Sequence, residues 1–153
     1  QIAVVVAAHG TVRRHYYRYL EGDVMSDMLA TAYGSAAMMT SVLVSPNGNY
    51  EYEAAHGTVR RHYYRYLEGG VASTNPLAII MAWASALEKR GELDQNKELE
   101  TFGRQLKEAA VRTVEDGIMT ADLKKVTTIK NPHVVTGLVF IATVQERLMK
   151  LRG

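Results

Sequence analysis

The sequence predicts an α/β fold: a helix-rich unit with a small mixed sheet, formed by a single domain over residues 1–153. Two patterns carry that prediction. Short runs of β-type residues fill the first third of the chain, two of them separated by an Asn-Gly turn signal. Long stretches with helical apolar spacing follow. A chain of this length buries a real core.

Taken in order, Gln1–Val6 (QIAVVV) reads as a strand rather than a secretory leader, because it lacks a basic start and a small-residue cleavage site. The chain opens on Gln rather than Met, which points to a missing or processed start. Val24–Tyr33 has helical spacing and stops at Gly34. Met38–Ser45 is a strand, Pro46-Asn47-Gly48 a hairpin turn, and Tyr50–Ala54 the returning strand. Val59–Leu67 is a helix whose Val59, Tyr63, Tyr66 and Leu67 share one face, explained by core packing, with Gly69-Gly70 as its end. Ser73-Thr74-Asn75-Pro76 starts a helix through a capping residue followed by Pro. That helix runs to about Arg90, with Gly91 as its cap. Lys97–Asp116 is a long amphipathic helix closed by Gly117, and Thr120–Val126 a short one with a capping Thr. Asn131-Pro132 turns, and Val135–Leu151 is a final helix or a strand leading into one.

Apolar residues at 47% and charged residues at 22% are ordinary for a soluble globular protein. No apolar run approaches the ~20 residues of a membrane span. The absence of cysteine excludes disulfides, thiolate zinc sites and cysteine nucleophiles. A net charge of +2 is too small to imply a nucleic-acid or membrane partner.

Residues Ala7–Gly22 and Ala54–Gly69 are identical, AAHGTVRRHYYRYLEG. Two undiverged copies separated by unrelated sequence do not build a solenoid. They fit a recent duplication, an engineered or generated chain, or an error of assembly. Each copy holds three arginines and one glutamate, so the two contribute +4 and the remainder −2. The basic character therefore belongs to the repeated block.

Three constellations could carry chemistry. Asp23 and Asp27, in GDVMSD, lie at i, i+4, which puts both carboxylates on one helical face. Such oxygen ligands suit Mg²⁺ or Mn²⁺; by spacing alone, however, complementing the helix dipole is the favoured reading. His56-Gly57-Thr58-Val59-Arg60-Arg61-His62 closes a hairpin and opens a helix, where backbone N–H groups and the dipole favour phosphate. Gly57 permits close backbone approach, Arg61 offers a fork to a phosphate, and a histidine ring could lie against a base. A solvated basic helix face explains the same residues equally well. The interleaved RRHYYRY run fits a third class, single-stranded nucleic-acid binding, although tyrosines at helical spacing are explained more cheaply by packing.

Joined in order, the segments GDVMSDMLATAYGSAAMMTSVLVSPNGNYEYEAAHGTVRRHYYRYLEGG, STNPLAIIMAWASALEKRGELDQNKEL and TVEDGIMTADL resemble the C-terminal third of NADP-dependent isocitrate dehydrogenases. The likeness covers about two thirds of the chain, residues 23–126, between the duplicated block 1–22 and a C-terminal helix region 127–153. It implies part of the isocitrate/isopropylmalate dehydrogenase fold. It also implies Mg²⁺ or Mn²⁺ at Asp23 and Asp27, and NADP at His56, Gly57, Thr58, Val59, Arg61, His62, Thr74 and Asn75. His9–His15 is then a structural duplicate. Arg60 stands where the family commonly has Thr, Thr31 where it has Gln, and Ala32 and Ala37 where it has glycines.

The resemblance implies oxidative decarboxylation of isocitrate to 2-oxoglutarate, a homodimer, and a cytoplasmic or mitochondrial matrix location. No residue here is assignable to the family's substrate-binding cluster or its acid–base pair. The expectation is therefore a segment with no assigned catalytic residue, inactive as an isolated chain. The alternatives are a designed or generated protein with no selected function, and a basic-aromatic nucleic-acid-binding module.

Overall fold

The computed structural model describes residues 4–8, 40–54, 59–70 and 74–153, with backbone alone for 4–8 and 59–62. The expected helix Val24–Tyr33 lies outside the described residues.

Three strands form the first sheet: β1 (Val4–Ala8), β2 (Thr40–Val44) and β3 (Tyr50–Ala54), in the order β1-β3-β2. β2 and β3 are antiparallel, with Thr40 opposite Ala54 and Val44 opposite Tyr50. β1 joins β3 in parallel, with Val4 opposite Tyr50 and Ala8 opposite Ala54, so the sheet is mixed as expected. The hairpin closes through Gly48, at φ +82, a left-handed conformation that glycine adopts without a Cβ clash. Gly48 N–H donates to Ser45 O, and Ser45 N–H to Asn49 O, each across 2.9 Å.

Helices follow: α1 (Val59–Leu67), α2 (Leu77–Leu93), α3 (Lys97–Glu115) and α4 (Gly137–Arg152). α2 packs on the sheet, α3 packs along α2, and α4 packs on α3. Short β4 (Ile118–Met119) and β5 (His133–Val134) pair in parallel and hold a 3-10 turn, Leu123–Lys125, between them. This pair was not legible in the sequence. Val135 N–H extends it by donating to Met119 O across 2.9 Å.

Two expectations need correction. Gly91 does not cap α2, which continues to Leu93; the chain turns at Asp94-Gln95, and Asn96 accepts from Leu99 N–H to cap α3. A Cβ on Gly91 would sit 2.8 Å from Glu100 Cα, so this glycine lets two helix backbones meet. Gly103 does the same one layer away, where a Cβ would lie 2.6 Å from Ala84 O. The tyrosine face of α1 is also not core: Tyr63, Tyr66 and Leu67 are exposed. Helical spacing buries a face only where another element covers it, and no described element packs extensively on α1.

The main core gathers Leu77, Ala109, Ala110, Met119, Leu123, Phe140, Val144 and Leu148 from four successive pieces of chain. Phe140 and Met119 are completely buried, each stabilising the fold by about 1.5–3 kcal/mol of transfer free energy. A smaller cluster of Ala54, Ala78 and Ala82, flanked by Tyr52, joins the sheet to α2.

Candidate functional site

The C-terminal end of β3 meets the start of α2. β3 ends at Ala54, and five residues later Val59 opens α1. Ala54 is buried against Ala78, the second residue of α2. Small side chains on both partners allow this close approach. As a result, the strand leading into His56 is seated beside the helix start that carries Thr74 and Asn75.

The start of α2 is locally well determined. Asn75 Oδ1 accepts from Leu77 N–H across 2.9 Å, which caps the helix with Pro76 at its first turn. Asn75 Nδ2 donates to Asp122 Oδ2 across 2.8 Å, and the buried Thr120 donates from Oγ1 to Asp122 Oδ1 across 2.6 Å. Thr74 is exposed beside this arrangement. A Cβ on Gly137 would lie 2.5 Å from Thr74 O, so α4 begins directly against this segment. The sequence marked Asn75; it gave no sign of Asp122 or Gly137, whose roles depend on contacts far along the chain.

Neither α1 nor α2 has an acidic side chain in its first turn, and amides at a helix start lack intrahelical acceptors. On the sheet, Glu53 is buried, and Ser41, directly opposite it on β2, donates from Oγ to Glu53 Oε2 across 3.0 Å. The sequence reading missed this carboxylate, three residues before His56. Further along α2, a cleft of about 320 Å³ is lined by Tyr52, Ser85, Glu88, Lys89, Glu92, Glu100 and Lys107. Its charges are matched within the protein: Lys107 pairs with Glu88, and Lys89 pairs with Glu92 at 2.8 Å. Burial pushes the Tyr52 phenol above its ordinary value, opposed by the nearby Lys89 ammonium. Lys89 is itself held above its ordinary value, chiefly by its hydrogen bond to Glu92, and lies 4.8 Å from the centre of the Tyr50 ring. This is a self-satisfied network that knits α2, α3 and β3.

Of the sequence-marked residues, Asp23, Asp27, His56, Gly57 and Thr58 lie outside the described residues. Val59 is the first residue of α1, and Arg61 and His62 belong to its first turns. Thr74 and Asn75 stand at the start of α2, next to the end of β3. Among the described residues no group of three or more histidines or carboxylates could hold a metal, and no helix is long and apolar enough to cross a membrane. Only the first two residues of the first repeat copy, Ala7 and Ala8, lie in β1, parallel to β3 with Ala8 opposite Ala54. That register is one residue out of step with the repeat, which equates Ala7 with Ala54. His9–His15 lies outside the described residues.

Comparison with known sequences gives a consistent picture. A family model described as isocitrate/isopropylmalate dehydrogenase matches residues 16–139. The mitochondrial NADP isocitrate dehydrogenase of Homo sapiens is 45% identical over 139 residues, covering 87% of this chain and 31% of its own length. The corresponding proteins of Sus scrofa and Bos taurus are also 45% identical over 139 residues, with 33% and 31% of their lengths covered. The chain thus spans about a third of the curated relatives it matches.

Proposed function

The chain belongs to the isocitrate/isopropylmalate dehydrogenase family, and from that premise we propose that it serves as the metal-binding and NADP-adenosine-binding part of an NADP-dependent isocitrate dehydrogenase. One observation carries the reading: Ala54 packs on Ala78, which seats the strand leading into the His56–His62 segment beside Thr74 and Asn75. The donor chemistry on the α1 side fits a dinucleotide phosphate, since α1 has no acidic side chain in its first turn, whereas at the start of α2 the Asn75 amide is already bonded to the Asp122 carboxylate.

In this reading Arg61 forms a guanidinium fork to the 2′-phosphate, and Gly57 lets backbone amides approach a phosphate. Val59 and His62 would contact the adenosine from α1, and Thr74 and Asn75 from the start of α2. His56 leads into the loop, with Thr58 at the helix entrance. Asp23 and Asp27 would hold Mg²⁺ or Mn²⁺ through their carboxylates. When bound, NADP accepts hydride and the cation supplies Lewis acidity for the decarboxylation of isocitrate to 2-oxoglutarate. This chain's own residues bind and orient. None of the 153 is assigned to isocitrate's carboxylates or to proton transfer, so the isolated chain does not complete the reaction. A homodimer and a mitochondrial location belong to the same proposal.

Calorimetric titration with NADP tests it. The intact chain should bind, and Arg61→Ala should bind more weakly by about tenfold or more, as expected for loss of a charge-assisted hydrogen bond. Equal affinities, or no binding by a folded chain, would count against the reading. Turnover of isocitrate by the purified chain with NADP and Mg²⁺ would overturn the claim of inactivity.

A further inference from the structure

The small net charge of the chain hides a local imbalance. Residues 123–145 hold three lysines and no arginine, aspartate or glutamate, which leaves −1 on the rest of the chain. Lys124, Lys125 and Lys130 are all exposed. The carboxylates just ahead of this stretch are engaged elsewhere: Asp116 pairs with Arg147, and both oxygens of Asp122 accept hydrogen bonds. Aliphatic side chains share the same stretch of surface. Leu138 is 81% exposed, and Val126, Val134 and Val139 are exposed with it. Packing brings the two ends of the stretch together. Asp122, beside the 3-10 turn, bonds Asn75, and a Cβ on Gly137 would lie 2.5 Å from Thr74 O. Two adjacent residues thus hold both ends, so Lys124 and Lys125 stand near Leu138 and Val139. Leu123 and Phe140, buried in the core, fix the flanks from inside.

We propose that residues 124–139 form a docking surface for an anionic lipid bilayer. Lys124, Lys125 and Lys130 meet the headgroup phosphates, while Leu138 and Val139, with Val126 and Val134, enter the boundary between headgroups and acyl chains. The contact is peripheral, since no described helix is long and apolar enough to cross a membrane. Charge complementarity and the company of the lysines choose this occupant. Nucleic acid is gripped by arginine and stacked on exposed rings, whereas this stretch has no arginine and its one aromatic ring, Phe140, is completely buried. A second copy related by a two-fold axis would set lysines against lysines. The inference is independent of the cofactor reading above.

Cosedimentation of the full chain with phospholipid vesicles tests it. Vesicles of equal parts phosphatidylcholine and phosphatidylserine should carry the chain down, phosphatidylcholine alone should not, and added salt should release it. Lys124→Gln with Lys125→Gln should lower partitioning by roughly 25-fold, about fivefold for each lysine. Leu138→Asp should lower it by about tenfold or more, because the side chain no longer enters the boundary. Lys97→Gln should leave it unchanged, since Lys97 opens α3 next to Glu98, the partner of Arg152 at the far end of α4. All four side chains are exposed, so the variants should melt close to the parent. Equal recovery on both vesicle types, no recovery on either, or a double lysine variant that binds like the parent overturns the proposal. Lys97→Gln as weak as the double variant also overturns it, since that marks general charge rather than this surface. A labelled single-stranded oligonucleotide held by the same lysines, with Leu138→Asp without effect on either ligand, overturns it in favour of nucleic acid.

Discussion

The Asn75 side-chain amide donates to Asp122 across 2.8 Å, joining residues 47 positions apart. This bond links the start of α2 to the 3-10 turn that follows β4. A polar contact at this distance along the chain fixes angle as well as separation, because both carboxylate oxygens of Asp122 are engaged.

Gly91 and Gly103 should not tolerate alanine. Helix propensity alone would make each change stabilising by about 1 kcal/mol. The added methyl, however, meets backbone atoms of the facing helix, at Glu100 for Gly91 and at Ala84 for Gly103, and backbone cannot rotate aside. Overpacking of this kind costs about 1–3 kcal/mol, so both variants should lower the denaturant midpoint. A midpoint above the parent's would show that the α2–α3 contact is looser than described.

Phe140→Ala should be the most damaging single truncation in the core. Phe140 is completely buried among residues from α2, α3, β4 and α4. The expected loss is about 3–5 kcal/mol. Thermal melts should fall on the order of 10 °C for a domain of this size. Truncation of the exposed Leu138 should leave the melt close to that of the parent chain.

The pair Lys97–Glu100 predicts an acid dependence. The Lys97 ammonium, donating across 2.8 Å, holds the Glu100 carboxyl below its ordinary 4.5, with Arg104 adding to the effect and desolvation opposing it. A depressed carboxylate contributes stability above its ordinary titration and loses it as pH falls through the lowered one. Lys97→Met should therefore melt slightly below the parent at neutral pH, and the gap should close as pH drops well under 4.5. A gap that widened in acid would contradict the assignment of cause.

Elements with a local signature were legible in the sequence. The Asn47-Gly48 turn fixed the hairpin and hence the β2–β3 pairing, because its conformation favours those residue types. Gly117, at φ +81, marked the end of α3 for a similar reason. Gly91 was misread as a cap because a helical glycine serves equally for close approach, and only the facing Glu100 distinguishes the two. The β4–β5 pair is two residues long on each side, too short for any alternation to register. Tyr63 and Tyr66 have helical spacing without a covering element, so periodicity alone gave them a core they do not have.

At the site, Asn75 was legible through its position before Pro76, whereas Asp122 depended on a tertiary contact. The Asp23–Asp27 pair and the His56–Thr58 segment lie outside the described residues, and their roles remain part of the proposal.

The central claim is that the β3–α1 connection and the start of α2 form a corner for a 2′-phosphorylated dinucleotide. Its most direct measurement is the ratio of NAD to NADP dissociation constants, obtained for the parent chain and for Arg61→Ala under one salt condition. The account predicts tighter binding of NADP by about tenfold or more in the parent, and a ratio near one in the variant. Equal affinity for the two dinucleotides in the parent chain, or a preference for NADP that survives loss of Arg61, would contradict it.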